Sequence, residues 1–171
     1  MRLDNQNLYN FFTEIDIPVL YHSNTVKTSL TYFEQNGLLS RGAVEELGLI
    51  QTEQSSDEAD QVLNVWNDVF LDSTDLHTFF GRQNYYGPVL FEFDITLLQN
   101  DEYEIWITKD NPIYWNTDST DAERYFESVD ELKEYVQANE SGAIKDELEE
   151  YGRSIGIELD KRLDTDSLID Q

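Results

Sequence analysis

Hydrophobic and polar positions recur along this chain with two periods, and the changes of period divide it into elements. Leu8, Phe11 and Phe12 fall at i, i+3 and i+4 within residues 5–14 and predict a helix with an inward apolar stripe. Pro18 stands where a strand can begin without losing a ladder bond, and Val19 to His22 predict that strand. Asn24 or Thr25 is placed to cap a helix over residues 25–36, with Val26, Leu30 and Phe33 as its core-facing stripe. Gly37 is the expected glycine just past its end. Gly42 to Leu47 predicts another helical turn, closed by Gly48. Gln51 to Gln61 has no apolar residue except Ala59 and predicts an exposed loop.

The second half mixes short strands with helices. Val69-Phe70-Leu71-Asp72 predicts a short, mostly buried strand, and Ser73 to His77 a turn or short helix. Gly81 to Gly87 reads as a polar-aromatic loop, and Pro88 to Asp94 is the clearest strand of the chain. Tyr103, Ile105 and Ile107 alternate with polar neighbours, apart from Trp106, and predict a strand over residues 102–108 that ends at Asp110-Asn111-Pro112. Ser128 with Glu131 is a capping-box signature for a helix to about Ala138, with Val129, Leu132 and Val136 as its stripe. A second helical stretch is expected over about 143–151. The pattern predicts one α+β domain over residues 1–159 and a frayed acidic tail over 160–171.

Composition sharpens this picture. Nine Phe, ten Tyr and three Trp in 171 residues supply a packed core. The absence of cysteine excludes disulfides and cysteine-ligated zinc. Met1 to Gln6 holds no signal-peptide apolar run, and no stretch approaches the ~20 apolar residues of a membrane span. A cytoplasmic protein with no membrane association is therefore expected.

The charge is the outlier: 36 Asp plus Glu against 11 Lys plus Arg give −25. Such a surface repels phosphate backbones, so direct binding to double-stranded DNA is not expected, and it attracts a basic protein partner. Three readings fit the charge: solubility or a salt-rich habitat, an acidic interaction protein such as an inhibitor or nucleic-acid mimic, or an enzyme whose site is less acidic than its average.

Chemistry-bearing motifs are few. Neither a P-loop nor a dinucleotide-binding glycine fingerprint occurs, and two histidines exclude a His-rich metal site. Asp57-Glu58-x-Asp60 lacks the calcium-loop pattern. His22, at the exit of a buried strand, is the best single candidate: its ring either enters a cleft, as a hydrogen-bond donor or proton carrier, or is satisfied by a nearby backbone carbonyl. His77 is explained locally, by turn formation with Asp75.

Leu20-Tyr21-His22-Ser23-Asn24-Thr25 followed by Gly37-Leu38-Leu39-Ser40-Arg41 resembles the opening of the DarT-type DNA ADP-ribosyltransferases, and also the RNA 2′-phosphotransferase branch of the same superfold. Residues 68–72, 86–93, 107–112 and 125–132 are similar to the segments that follow, so the resemblance spans roughly residues 18–136. It implies an ADP-ribosyltransferase-like fold of small mixed or antiparallel sheets with flanking helices. It also implies NAD as substrate, a nucleic-acid base or protein as acceptor, and a toxin or phage-defence setting.

The same resemblance implies residue roles. His22 would lie near the nicotinamide-side ribose, with Ser23, Asn24 or Thr25 adding a hydrogen bond. Tyr85 or Tyr86 would stack on nicotinamide. A glutamate would stabilise the developing oxocarbenium ion, with Glu140 and Glu158 as candidates; Glu158 sits in the apolar segment Ile155-Gly156-Ile157-Glu158-Leu159. An arginine would meet the pyrophosphate. Residues 49–67, where the family carries that arginine, hold no Arg or Lys, which leaves Arg41 and Arg82.

Overall fold

The computed structural model of the protein describes residues 2–79 and 87–140. The chain divides into two compact units, Met1–Glu127 and Ser128–Gln171. The described residues contain seven α-helices and one two-stranded antiparallel sheet, so the α+β class is correct.

The first unit begins with α1 (Asn5–Glu14), which the Asp4 carboxylate caps by accepting from the Asn7 amide at 2.7 Å. Leu8, Phe11 and Phe12 are its buried stripe, as the spacing predicts. The helix packs against a 3₁₀ turn, Ile95–Gln99, which buries Ile95 and Leu98. Asn5 ties the start of α1 to this region by donating to the carbonyls of Asn100 at 2.8 Å and Tyr103 at 3.1 Å.

Two strands form the sheet. β1 (Val19–Asn24) pairs antiparallel with β2 (Val89–Asp94), with His22 opposite Phe91 and Asn24 opposite Val89. The expected third strand, residues 68–72, contributes only one bridge, in which Tyr21 and Asp72 exchange both backbone bonds at 2.8 Å. Val69 and Phe70 are exposed rather than buried; they follow a turn closed by the Asp68 amide on the Val65 carbonyl and come before the one paired residue, Asp72. The expected strand over 102–108 is irregular as well. Leu3 donates to Ile105, Phe126 donates to Ile107, and Thr108 bridges Tyr125. The segment is thus extended but shared between short partners. Alternation marks extended chain, and only a long neighbour turns it into a strand.

α2 (Val26–Gln35) lies where expected, but its faces are reversed. Val26, Leu30 and Phe33 are more than half exposed, while Thr28, Ser29, Thr31 and Tyr32 are buried. The cause is the segment at residues 50–52, whose backbone needs partners. Thr31 Oγ1 donates to the Ile50 carbonyl at 2.6 Å, and Thr28 Oγ1 accepts from the Thr52 amide at 2.9 Å. Asn36, not Gly37, takes the left-handed conformation that ends α2, with φ of 55°.

α3 (Arg41–Glu46) follows, capped by Ser40 and closed at Gly48 with φ of 65°. The expected exposed loop over 51–61 instead becomes α4 (Asp57–Val62), preceded by the half-buried Gln51 and Thr52. α5 (Leu76–Phe79) is a single turn after Asp75, whose carboxylate accepts from the His77 amide at 2.8 Å. α6 (Asp121–Arg124) carries a full capping box between Thr120 and Glu123. In the second unit, α7 (Val129–Glu140) starts at Ser128, whose hydroxyl accepts from the Glu131 amide at 3.1 Å, and it buries Leu132. The expected features at 143–151, 155–159 and 160–171 lie outside the described residues.

Candidate functional site

β1 delivers a run of polar side chains to the start of α2. His22 Nδ1 is 2.9 Å from the Phe70 carbonyl. A carbonyl only accepts, so Nδ1 carries the proton and Nε2 is left as an acceptor. The Asn24 amide nitrogen lies 3.3 Å from that Nε2 and donates to the Tyr32 hydroxyl at 3.3 Å. Burial lowers the His22 pKa, outweighing the carbonyl bond that raises it. The ring is therefore neutral at pH 7. It is framed by Tyr32 at 5.8 Å and Phe91 at 6.3 Å between centroids. Of the two readings of His22, the structure shows the backbone-carbonyl one, and β1 runs two residues past it to Asn24 rather than ending at it.

Thr25 continues the chain of contacts. It caps α2, and its hydroxyl lies 3.2 Å from Thr28 Oγ1 and 2.7 Å from Thr52 Oγ1. Ser23 is half-buried, and its side chain makes no hydrogen bond among the described residues.

Arg41 arrives at the same place from the first turn of α3. Its Nη2 donates to the Thr52 carbonyl at 3.0 Å and pairs with Asp57 Oδ2. The guanidinium carbon lies 5.3 Å from the centroid of Trp66. Its Nε and Nη1 are buried without a partner among the described residues. Arg41 also acts on Tyr32, whose pKa burial raises and the guanidinium and Asn24 partly restore.

Four of the residues expected at the site, His22, Asn24, Thr25 and Arg41, therefore join one network through Tyr32, Thr28 and Thr52. Tyr85, Tyr86 and Glu158, like Arg82, lie outside the described residues. Glu140 ends α7, in the other unit. His77 is not part of the network; its Nε2 lies 2.9 Å from the Gly87 carbonyl.

Sequence reasoning missed Tyr32, Thr28, Thr52, Asp57 and Gly87. The signal for the first two was the polar run Thr28-Ser29 and Thr31-Tyr32, one helical turn apart on the face opposite Leu30. Gly87 has φ of 92°, and a Cβ there would fall 2.1 Å from the Asn24 carbonyl carbon. Only glycine lets the two backbones meet so closely.

Chemically, this arrangement offers a neutral imidazole, a neutral phenol, three threonine hydroxyls and a guanidinium with two unpartnered nitrogens among the described residues. Asp57 is its carboxylate, and that group is engaged by Arg41 and by the Gln54 amide at 3.0 Å. Among the described residues no group of three or more His, Asp or Glu is placed to hold a metal ion. No helix among them is long and apolar enough to cross a membrane. No protein-family model, curated protein or solved structure matches the chain.

Proposed function

We propose that this protein is an ADP-ribosyltransferase-like domain that takes NAD at the junction of β1, α2 and α3. The observation that carries the reading is convergence. His22, Asn24 and Thr25 come from the segment that resembles the family, and they share one hydrogen-bonded network with Arg41, an arginine that stands outside the stretch where the family carries its own. In this reading the Nε2 of neutral His22 accepts a hydrogen bond from a ribose hydroxyl in competition with Asn24. The Nε and Nη1 of Arg41 face the pyrophosphate, which a planar guanidinium suits. Glu158 supports the oxocarbenium ion, and Tyr85 or Tyr86 stacks on nicotinamide. The acceptor is a nucleic-acid base or a protein side chain.

Calorimetric titration of the full chain with NAD tests the reading. Saturable binding is expected, with Arg41→Lys weakening it at least tenfold and Glu158→Gln sparing it while abolishing nicotinamide release. A flat isotherm with folded protein overturns it.

A second reading is a non-catalytic acidic interaction protein on the same fold. One observation favours it: the hydrogen bonds of His22, Asn24 and Thr25 are met within the fold, by the Phe70 carbonyl, the Tyr32 hydroxyl and the Thr52 hydroxyl. Under this reading the network is a scaffold, and the function lies in the charged surface.

A further inference from the structure

The segment from residue 101 to residue 127 brings together carboxylates and aromatic rings on one stretch of surface. Its eight Asp and Glu residues are all exposed, and its basic residues are Lys109 and Arg124. Both cations are held against the segment's own backbone and rings. Lys109 Nζ donates to the Ala122 carbonyl at 2.9 Å and lies 5.4 Å from the centroid of Phe126. Arg124 donates through Nη2 to the Asn116 carbonyl at 3.0 Å and lies 5.1 Å from the centroid of Trp115. With eight carboxylates against two cations, the segment carries a net charge of −6.

Rings lie among those carboxylates. Trp106 is 42% exposed and Tyr114 is 72% exposed. Trp106 and Trp115 each meet Tyr125 edge-on at 5.2 Å, and the Thr108–Tyr125 bridge holds the backbone beneath them. Trp106 is thus an exposed ring on a fixed mount. Trp115 and Phe126 already seat the segment's own cations, whereas among the described residues neither Trp106 nor Tyr114 has a cation over it. They are the same kind of seat, offered to solvent.

We infer that this surface docks an arginine-rich segment of a basic partner protein, with guanidinium groups over Trp106 and Tyr114 and neighbouring charges met by the carboxylates. Charge decides the occupant. A second copy of this chain would bring −25 against −25, and a nucleic acid would bring phosphates. Lysine meets the carboxylates equally well, but its compact ammonium stacks on a ring less favourably than a planar guanidinium. The inference is independent of NAD binding.

Fluorescence anisotropy of the full chain with a labelled arginine-rich peptide, and with a lysine peptide of equal length and charge, tests it. The arginine peptide is expected to bind several-fold more tightly than the lysine peptide, and both to weaken with added salt. Trp106→Phe, which keeps a ring against Tyr125, and Tyr114→Ser should each weaken the arginine peptide by about two- to fivefold and narrow its advantage over lysine. Tyr114→Ser should leave Tm unchanged. Absence of arginine-peptide binding at low salt overturns the inference. Equal affinity for the two peptides, unmoved by either substitution, also overturns it, since that result is charge attraction without the rings.

Discussion

Leu30 and Tyr32 stand two residues apart in α2, and the structure assigns them opposite consequences. Leu30 belongs to the stripe that helical periodicity sends to the core, yet it is 56% exposed. Tyr32 is 4% exposed, packs against His22 and Phe91 at ring distances of 5.8 Å and 5.9 Å, and accepts from Asn24. Removing a buried aromatic side chain costs about 3–5 kcal/mol. Tyr32→Ala should fall in that range, with about 1 kcal/mol of it from the lost Asn24–Tyr32 hydrogen bond. Against a whole-domain stability of roughly 5–15 kcal/mol, this is a large fraction. Tyr32→Phe keeps the ring and should cost only about 1 kcal/mol. Leu30→Gln, at an exposed position, should stay within about 0.5 kcal/mol of wild type. Urea unfolding at matched m-values measures all three. A Leu30→Gln loss above about 2 kcal/mol together with a Tyr32→Ala loss below about 1 kcal/mol would refute the reversed orientation of α2.

Further consequences are open to equally simple measurement. Gly87→Ala places a Cβ against the Asn24 backbone at a φ of 92°, so it should lose about 3 kcal/mol or more on unfolding; a wild-type Tm would contradict that close approach. Asp57→Ala leaves the mostly buried Arg41 guanidinium without its carboxylate and should cost about 2 kcal/mol, less than for a fully buried pair, with a loss under about 0.5 kcal/mol as the contrary result. The lowered pKa of His22 means that the unfolded state takes up its proton first, so this residue's contribution is intact above pH ~6.5 and shrinks as the pH falls below it. Asp60, Asp68 and Asp72, whose pKa values burial raises, act in the opposite direction, so the His22 effect is read as the Tm difference between wild type and His22→Gln. That difference should decline from pH 7.5 to pH 5; a difference that grows on acidification would reverse the sign.

Helix starts were legible because their signals are local. Thr25 and Ser128, both marked by their capping pattern, each accept a backbone N–H at the start of α2 and α7, and Asp4 and Ser40, which the sequence reading did not name as caps, do the same for α1 and α3. The pairing of residues 19–24 with 89–94 also agrees with the apolar runs that predicted two strands. Other features depend on partners that no short window contains. The period of Val26, Leu30 and Phe33 announces a helix, but the backbone of residues 50–52 decides which face is buried. The alternation at 103–107 announces extended chain, but its neighbours at Leu3 and at 124–126 are too short for a ladder. Asn36 ends α2 because a short polar side chain tolerates the left-handed region, although Gly37 is the stronger local signal. At the site, His22, Asn24 and Thr25 were legible as a cluster. The contacts of Arg41 with Thr52 and Asp57 were not, because residues 51–61 read as an exposed loop.

The most direct test of the NAD reading is a nuclear magnetic resonance titration that follows the side-chain N–H signals of Arg41 Nε and Asn24 Nδ2. Both groups are buried at the junction of β1, α2 and α3, and Arg41 Nε has no partner among the described residues. Adding NAD is predicted to shift both signals along one saturable curve while the Trp106 indole signal, outside that network, stays in place. Unmoved Arg41 and Asn24 signals at millimolar NAD, in a protein whose spectrum is that of the folded chain, would contradict it.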